Sequence, residues 1–225
     1  MIIGMLIFPG MTPLDFVGPY EVFSQLPGAD CRVVWRAMEP VTAKGGLQFL
    51  PTTTLAGAPV FDILFVPGGP GVGDLMEDRE LLEFLRYQAH HVRYITSVCT
   101  GALLLGAAGL LKGYRATTHW LSLDLLPVFG AIASPDRVVI DCNRITGGGI
   151  TAGIDLALAI AAELFGPETA KMIQLLLEYN PAPPFTCGHP STADPDIVER
   201  FRAKRAELQA TRMEQAQRAA RLYCE

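Results

Sequence analysis

Four apolar, β-branched runs set the limits on this fold: Met1–Phe8 (MIIGMLIF), Cys31–Ala37 (CRVVWRA), Phe61–Pro67 (FDILFVP) and Arg93–Val98 (RYITSV). Their hydrophobicity is nearly continuous, which suits strands of a parallel sheet covered on both faces. Helical patterns at Phe16–Leu26, Arg79–His91 and Gly101–Leu111 alternate with them. Such alternation requires βαβ crossovers and predicts a three-layer α/β sandwich. Only 18% of the 225 residues are charged, where about a quarter is usual. A chain this poor in charge must bury much of itself in a core or in an oligomer.

The second half is less regular. Arg137–Thr146 (RVVIDCNRIT) reads as a hairpin turning at Asp141-Cys142-Asn143. Gly147-Gly148-Gly149 leads into an apolar helix at Gly153–Phe165, and another follows at Glu168–Tyr179. Pro181-Ala182-Pro183-Pro184 forces an extended segment. A long amphipathic helix then spans Pro195–Tyr223. The division expected is an α/β domain over 1–185 and a C-terminal segment over 186–225, its helix packed on the domain or on a dimer partner. Seven basic and five acidic residues in 195–225 leave the tail at +2 and the rest of the chain at −7. A net charge of −5 argues against nucleic acid as a partner, because phosphate binding needs a positive face. The longest apolar stretch, Gly101–Leu111, falls short of the ~18 residues of a membrane span, and the N-terminus lacks the basic region of a signal peptide. A cytoplasmic protein with no membrane partner is expected. Five Cys with no C-x-x-C pair form neither a disulfide framework nor a zinc site.

Cys99 is the sharpest chemical feature. The strand of Ser97-Val98 runs into it and a small-residue helix begins directly after it, the pattern of a nucleophile elbow. A sulfur at a helix N-terminus lies beside unpaired N–H groups and the positive end of the dipole, which favour the thiolate. The alternative is a buried structural cysteine; Cys31, Cys142, Cys187 and Cys224 lack the elbow and read as inert. Phe61–Gly73 (FDILFVPGGPGVG) ends a strand in a glycine-rich turn. Its Gly69 N–H is either an oxyanion donor or part of a tight turn. Asp15 sits where the first strand's loop meets a helix, as an N-cap or as a proton carrier on the sheet edge that bears Cys99. His119 is either structural or a partner of Cys99, and Ile150, in GGGIT, is expected to line the site.

The segments LDFVGPYEVF, VPGGPGVG, SVCTGALLLGAAGLL, ATTHW and GGGITAGID resemble the ThiJ/PfpI superfamily, also called class I glutamine amidotransferase-like, over about residues 1–185. Asp15 ahead of GPYEVF, Thr100 after the cysteine and EYNPAPPF are narrower signals that resemble its isocyanide-hydrating branch. The resemblance implies a flavodoxin-like sandwich, a homodimer, a small-molecule substrate, no metal and no organic cofactor. It carries the catalytic cysteine onto Cys99, the acid/base carboxylate onto Asp15 and a neighbouring hydroxyl onto Thr100, with Gly69, Ile150 and His119 expected around the substrate. The protease branch has His directly after the cysteine, where this chain has Thr100. The implied chemistry is attack of Cys99 on an isocyanide carbon, protonation of that carbon by Asp15, and hydrolysis of the thioimidate to a formamide, from a resting pair whose single proton sits on Asp15. Glyoxalase-type conversion of 2-oxoaldehydes by the same cysteine, a ligand-sensing regulatory module and a redox sensor are the competing readings.

Overall fold

The computed structural model describes residues 1–223; Cys224 lies outside the described residues. In chain order the elements are β1 (Ile2–Leu6), α1 (Pro13–Ser24), β2 (Asp30–Trp35), β3 (Val41–Thr42), β4 (Gln48–Phe49), β5 (Thr53–Thr54), β6 (Ile63–Val66), α2 (Val72–Leu75) and α3 (Arg79–Ala89). There follow β7 (Tyr94–Val98), α4 (Gly101–Ala107), β8 (Arg115–Ala116), a 3-10 helix (Trp120–Phe129), β9 (Ile132–Ala133), β10 (Val138–Asp141), β11 (Arg144–Gly147), α5 (Ala152–Phe165), α6 (Pro167–Leu176) and α7 (Pro195–Tyr223).

The central sheet runs β10-β11-β7-β6-β1-β2-β5. All its pairings are parallel except the β10/β11 hairpin. The four apolar runs become β1, β2, β6 and β7, and the buried faces of Ile3, Met5, Ile63, Phe65 and Ile95 explain why those runs show no alternation. The 3-10 helix is the one sizeable element that the sequence does not announce. Its buried Leu125, Leu126 and Phe129 face the core, but Pro127 interrupts the helical pattern.

Strand order changes direction at β1. The chain builds outward from β1 to β2 and β5, then returns to β6 and builds the other way to β7. In open α/β sheets this reversal leaves a crevice at the carboxyl ends of the strands, where ligands bind. The loops after β1, β6 and β7 all reach that crevice.

On one face α1 and α5 meet closely. A Cβ on Gly153 would lie 2.8 Å from Pro19 Cγ, and one on Gly18 would lie 2.9 Å from Ile154 Cγ1. Two missing side chains therefore set how near these helices approach. On the other face α2, α4 and the 3-10 helix carry α7. Arg212, Ala216 and Ala219 form its buried stripe, spaced four and three residues apart as one helix face requires. Arg218 pairs with Glu77 at 2.9 Å and Gln215 donates to Asp74 at 3.3 Å, fixing α7 near α2. Among the described residues no helix is long and apolar enough to cross a membrane.

Candidate active site

Three loops at the carboxyl edge bring Asp15, Gly68, Thr100 and Cys99 together. Cys99 directly follows β7 with φ 53°, the left-handed region that non-glycine residues rarely adopt. The kink holds because the Cys99 N–H donates to Gly147 O at 3.1 Å and to Gly148 O at 2.7 Å, while Thr118 Oγ1 donates to Cys99 O at 2.7 Å. Strain fixed by surrounding bonds in this way is characteristic of a nucleophile elbow. Cys99 is 5% exposed.

Asp15 is wholly buried in the first turn of α1, without a capping bond of its own; the cap position is Thr12. Its Oδ2 accepts from Gly68 N–H at 3.0 Å. Its Oδ1 has no hydrogen-bond partner among the described residues, and the carboxyl and the Cys99 thiol each act on the other's ionisation. Burial pushes Asp15 up from 3.8 to about 7, against the opposing pull of Cys99, the Gly68 N–H and Lys44. A carboxyl poised there gives and takes protons near neutrality.

The Cys99 thiol is also pushed up, by burial first and by the Asp15 charge second. The backbone N–H and hydroxyl of Thr100 pull the other way. The thiolate stabilisation expected of the helix end is therefore present, but burial outweighs it. Burial raises the thiol further than the carboxyl, so the pair's proton rests on Cys99 and not on Asp15 as the sequence suggested, which leaves Asp15 free to accept it near neutral pH.

The glycine turn after β6 differs from expectation. The Gly69 N–H donates to Thr100 Oγ1 at 3.0 Å, and the Thr100 hydroxyl reaches back to Gly69 O at 3.3 Å. Gly69 is therefore no free oxyanion donor; it clamps Thr100 in place, at φ 144°, which favours glycine. The donor beside the acid is Gly68, which the sequence reading passed over. A Cβ there would stand 2.5 Å from Thr100 N and 3.0 Å from Asp15 Oδ2.

His119 and Ile150 lie elsewhere, on the wall of a cavity of about 400 Å³ shared with Thr118, Trp120, Gly148 and His189. Thr118 and Gly148 join this wall to the Cys99 backbone. His119 Nδ1 accepts from Leu121 N–H at 3.3 Å and so caps the 3-10 helix. Burial and the charges of Arg212 and Arg205 hold its pKa down at about 4, so the ring is neutral. It serves as wall and cap, with its Nδ1 occupied. Glu21 is exposed on α1. Cys31 is half-buried with its thiol pushed up to about 11 by burial and by Asp30, and Cys142 and Cys187 are exposed. Sequence reasoning missed Gly68 and Thr118, although both lie within motifs it had singled out.

Residues 1–163 match the family description DJ-1/PfpI family. The isonitrile hydratase of Pseudomonas putida is 55% identical over 218 residues, covering 97% of this chain and 96% of that protein. A crystal structure of a ThiJ/PfpI family protein from Pseudomonas syringae superposes with a TM-score of 0.93 at 44% identity, covering 96% of this chain and 90% of the other. The HTH-type transcriptional regulator GbdR of Pseudomonas aeruginosa is 33% identical over 186 residues, covering 79% of this chain but 50% of the regulator.

Proposed function

The chain belongs to the DJ-1/PfpI family, and from that premise we propose that it hydrates isocyanides to N-substituted formamides, R–N≡C + H2O → R–NH–CHO. The near-full-length likeness to an isonitrile hydratase supports the reaction. One observation carries the mechanism: a fully buried carboxyl, raised to about 7, keeps one oxygen unbonded beside the thiol at the strand-to-helix kink.

The terminal carbon of an isocyanide accepts a nucleophile and a proton at the same atom. Cys99 and Asp15 present both within one site. Asp15 receives the thiol proton as the sulfur attacks and passes it to the carbon, giving the thioimidate R–N=CH–S–Cys99. Water then adds to that carbon, Asp15 taking one of its protons and passing it to the nitrogen. The tetrahedral adduct R–NH–CH(OH)–S–Cys99 collapses as Asp15 takes its hydroxyl proton, the C–S bond breaks, and the formamide leaves with the sulfur as thiolate, which regains its proton from Asp15. Thr100 steadies that thiolate through its N–H and hydroxyl, and the Gly69 clamp fixes Thr100. Ile150 and His119 present the cavity wall to the R group.

In this reading residues 1–185 form the catalytic α/β domain and 186–225 an arm packed on it. It works as a cytoplasmic homodimer without metal or organic cofactor. The exposed apolar side chains of Met172, Leu175 and Leu176 on α6 support the second copy. The test is formamide production from an aryl isocyanide followed by absorbance, with Cys99→Ala beside it. Turnover that disappears in the variant is the expected result. An inert wild-type protein that instead forms lactate from methylglyoxal overturns the hydratase reading.

A further inference from the structure

Two histidines line the cavity that Thr118 and Gly148 join to the Cys99 backbone: His119, ahead of the 3-10 helix, and His189, on the segment between α6 and α7. Each ring has its Nδ1 taken by a nearby backbone N–H, from Leu121 at 3.3 Å and from Ser191 at 3.2 Å. The Ser191 hydroxyl, 2.7 Å from His189 Nδ1, donates to the same nitrogen. An imidazole nitrogen that accepts is unprotonated, so in both rings the proton sits on Nε2. Neither Nε2 has a hydrogen-bond partner among the described residues. Arg212 and Arg205 keep His119 from taking a second proton.

The wall keeps the donor edge of His119 open. A Cβ on Gly149 would lie 3.5 Å from His119 Cδ2 and 4.0 Å from its Nε2, so a side chain there would cover that edge; glycine leaves it facing the cavity that both residues line. The charged groups of the wall are already paired, Arg137 with Asp155 at 2.6 Å and Asp136 with Arg115 at 3.1 Å. Trp120, Leu123, Pro135 and Ile150 supply its apolar surface. At about 400 Å³ the cavity has the size of a small-molecule site. A site built of apolar surface and a few fixed N–H donors selects a ligand that brings acceptors to them, because a donor left without one is penalised.

We propose that His119 and His189 form a two-donor subsite for the R group, and that the preferred substrates are uncharged isocyanides carrying acceptor oxygens, of the isocyanoacetate ester type. The two Nε2–H groups donate to the two ester oxygens, while the hydrocarbon part lies against Trp120, Leu123 and Ile150. A free carboxylate in place of the ester meets no unpaired cation on the wall and faces the charge of Asp136. His189 lies beyond the residues matched by the family description. The isocyano group as the reacting end rests on the hydratase reading, whereas the subsite is tested without turnover.

The experiment is isothermal titration of Cys99→Ala with three formamides. They are N-formylglycine methyl ester, its free carboxylate, and N-(2-methylbutyl)formamide, the hydrocarbon isostere of the ester. The ratio of dissociation constants cancels changes that affect all three alike. The ester is expected to bind about tenfold more tightly than the isostere, and at least about tenfold more tightly than the carboxylate. Adding His189→Phe or His119→Asn removes most of the preference for the ester over the isostere, and the two together reverse it, since the isostere is the more hydrophobic ligand. His189→Phe alters an exposed segment, and His119→Asn keeps an acceptor for the Leu121 N–H, so neither variant depends on a lost cap. A ratio that stays unchanged in either variant overturns the two-donor subsite. So does a wall that favours the isostere or the carboxylate from the outset. The expected ratios in a protein whose wild type turns over neither parent isocyanide would refute the hydratase reading alone.

Discussion

Replacing Asp15 with Asn removes the ionisable proton while keeping shape and the acceptor for Gly68 N–H, so it separates what the carboxyl does for stability from what it does for chemistry. Burial raises the Asp15 pKa from 3.8 to about 7. At ~1.4 kcal/mol per pKa unit, that rise is worth about 4 kcal/mol between the two protonation states. The folded state holds the proton more tightly than the unfolded state. The associated stability is therefore fully present below about pH 4 and lost as pH rises through about 7. His119, depressed from 6.5 to about 4, acts in the opposite sense: its contribution is present above 6.5 and lost as pH falls through 4. Because His119 is common to both proteins, it cancels in their difference. Urea unfolding of wild type and Asp15→Asn from pH 4 to pH 9 isolates the carboxyl. The variant should match the wild type at the acid end and exceed it by up to about 4 kcal/mol at pH 9, while formamide production falls at least about a hundredfold. A difference that stays flat across pH, or a variant less stable at pH 9, would refute the burial argument. Near-full turnover would refute the proton-carrying role.

Cys99→Ser should lose at least about a thousandfold in turnover with its thermal midpoint nearly unchanged; appreciable activity in a purified variant would remove the covalent step. In Gly68→Ala the new Cβ would stand 2.5 Å from Thr100 N; it should cost about 1–3 kcal/mol in a denaturation curve and most of the turnover, and a fully active variant would show that the turn does not set the site. Thr100→Val leaves the buried Gly69 N–H without its acceptor, which should lower stability by about 1–3 kcal/mol and reduce kcat; an unchanged kcat would confine Thr100 to a structural part. Leu175, 80% exposed on α6, provides the oligomer test: Leu175→Glu should halve the mass measured by light scattering, and an unaltered mass would place the interface elsewhere.

The sheet was readable because its inner strands are buried on both faces, so their residue choice records one environment throughout. The paired fragments β3/β4 and β8/β9 are two residues long and partly polar, too short to leave any periodicity. The elbow was legible in Ser97-Val98-Cys99-Thr100-Gly101, since only a few arrangements join a parallel strand to a helix that abruptly. Gly68 and Gly69 were visible as a pair, but their separate duties were not. Which N–H faces Asp15 and which faces Thr100 depends on the turn's φ values, and composition does not encode them. Arg212 left no trace at all: on a helix carrying seven basic residues, nothing local marks the one that is turned inward.

The close seam between α1 and α5 has a consequence for how this chemistry tolerates change. Asp15 rides on α1, and the loop that leads into α5 is fastened to the backbone of Cys99 through Gly147 and Gly148. The two reacting groups are thus like the jaws of a caliper whose pivot is the contact of Gly18 and Gly153 with the opposite helix. A substitution in the R-group wall leaves the pivot untouched, because the wall hangs outside it. One added carbon at Gly18 or Gly153 would widen the jaws. The spacing of acid and sulfur is recorded, some distance from either, in two methyl groups the chain does without.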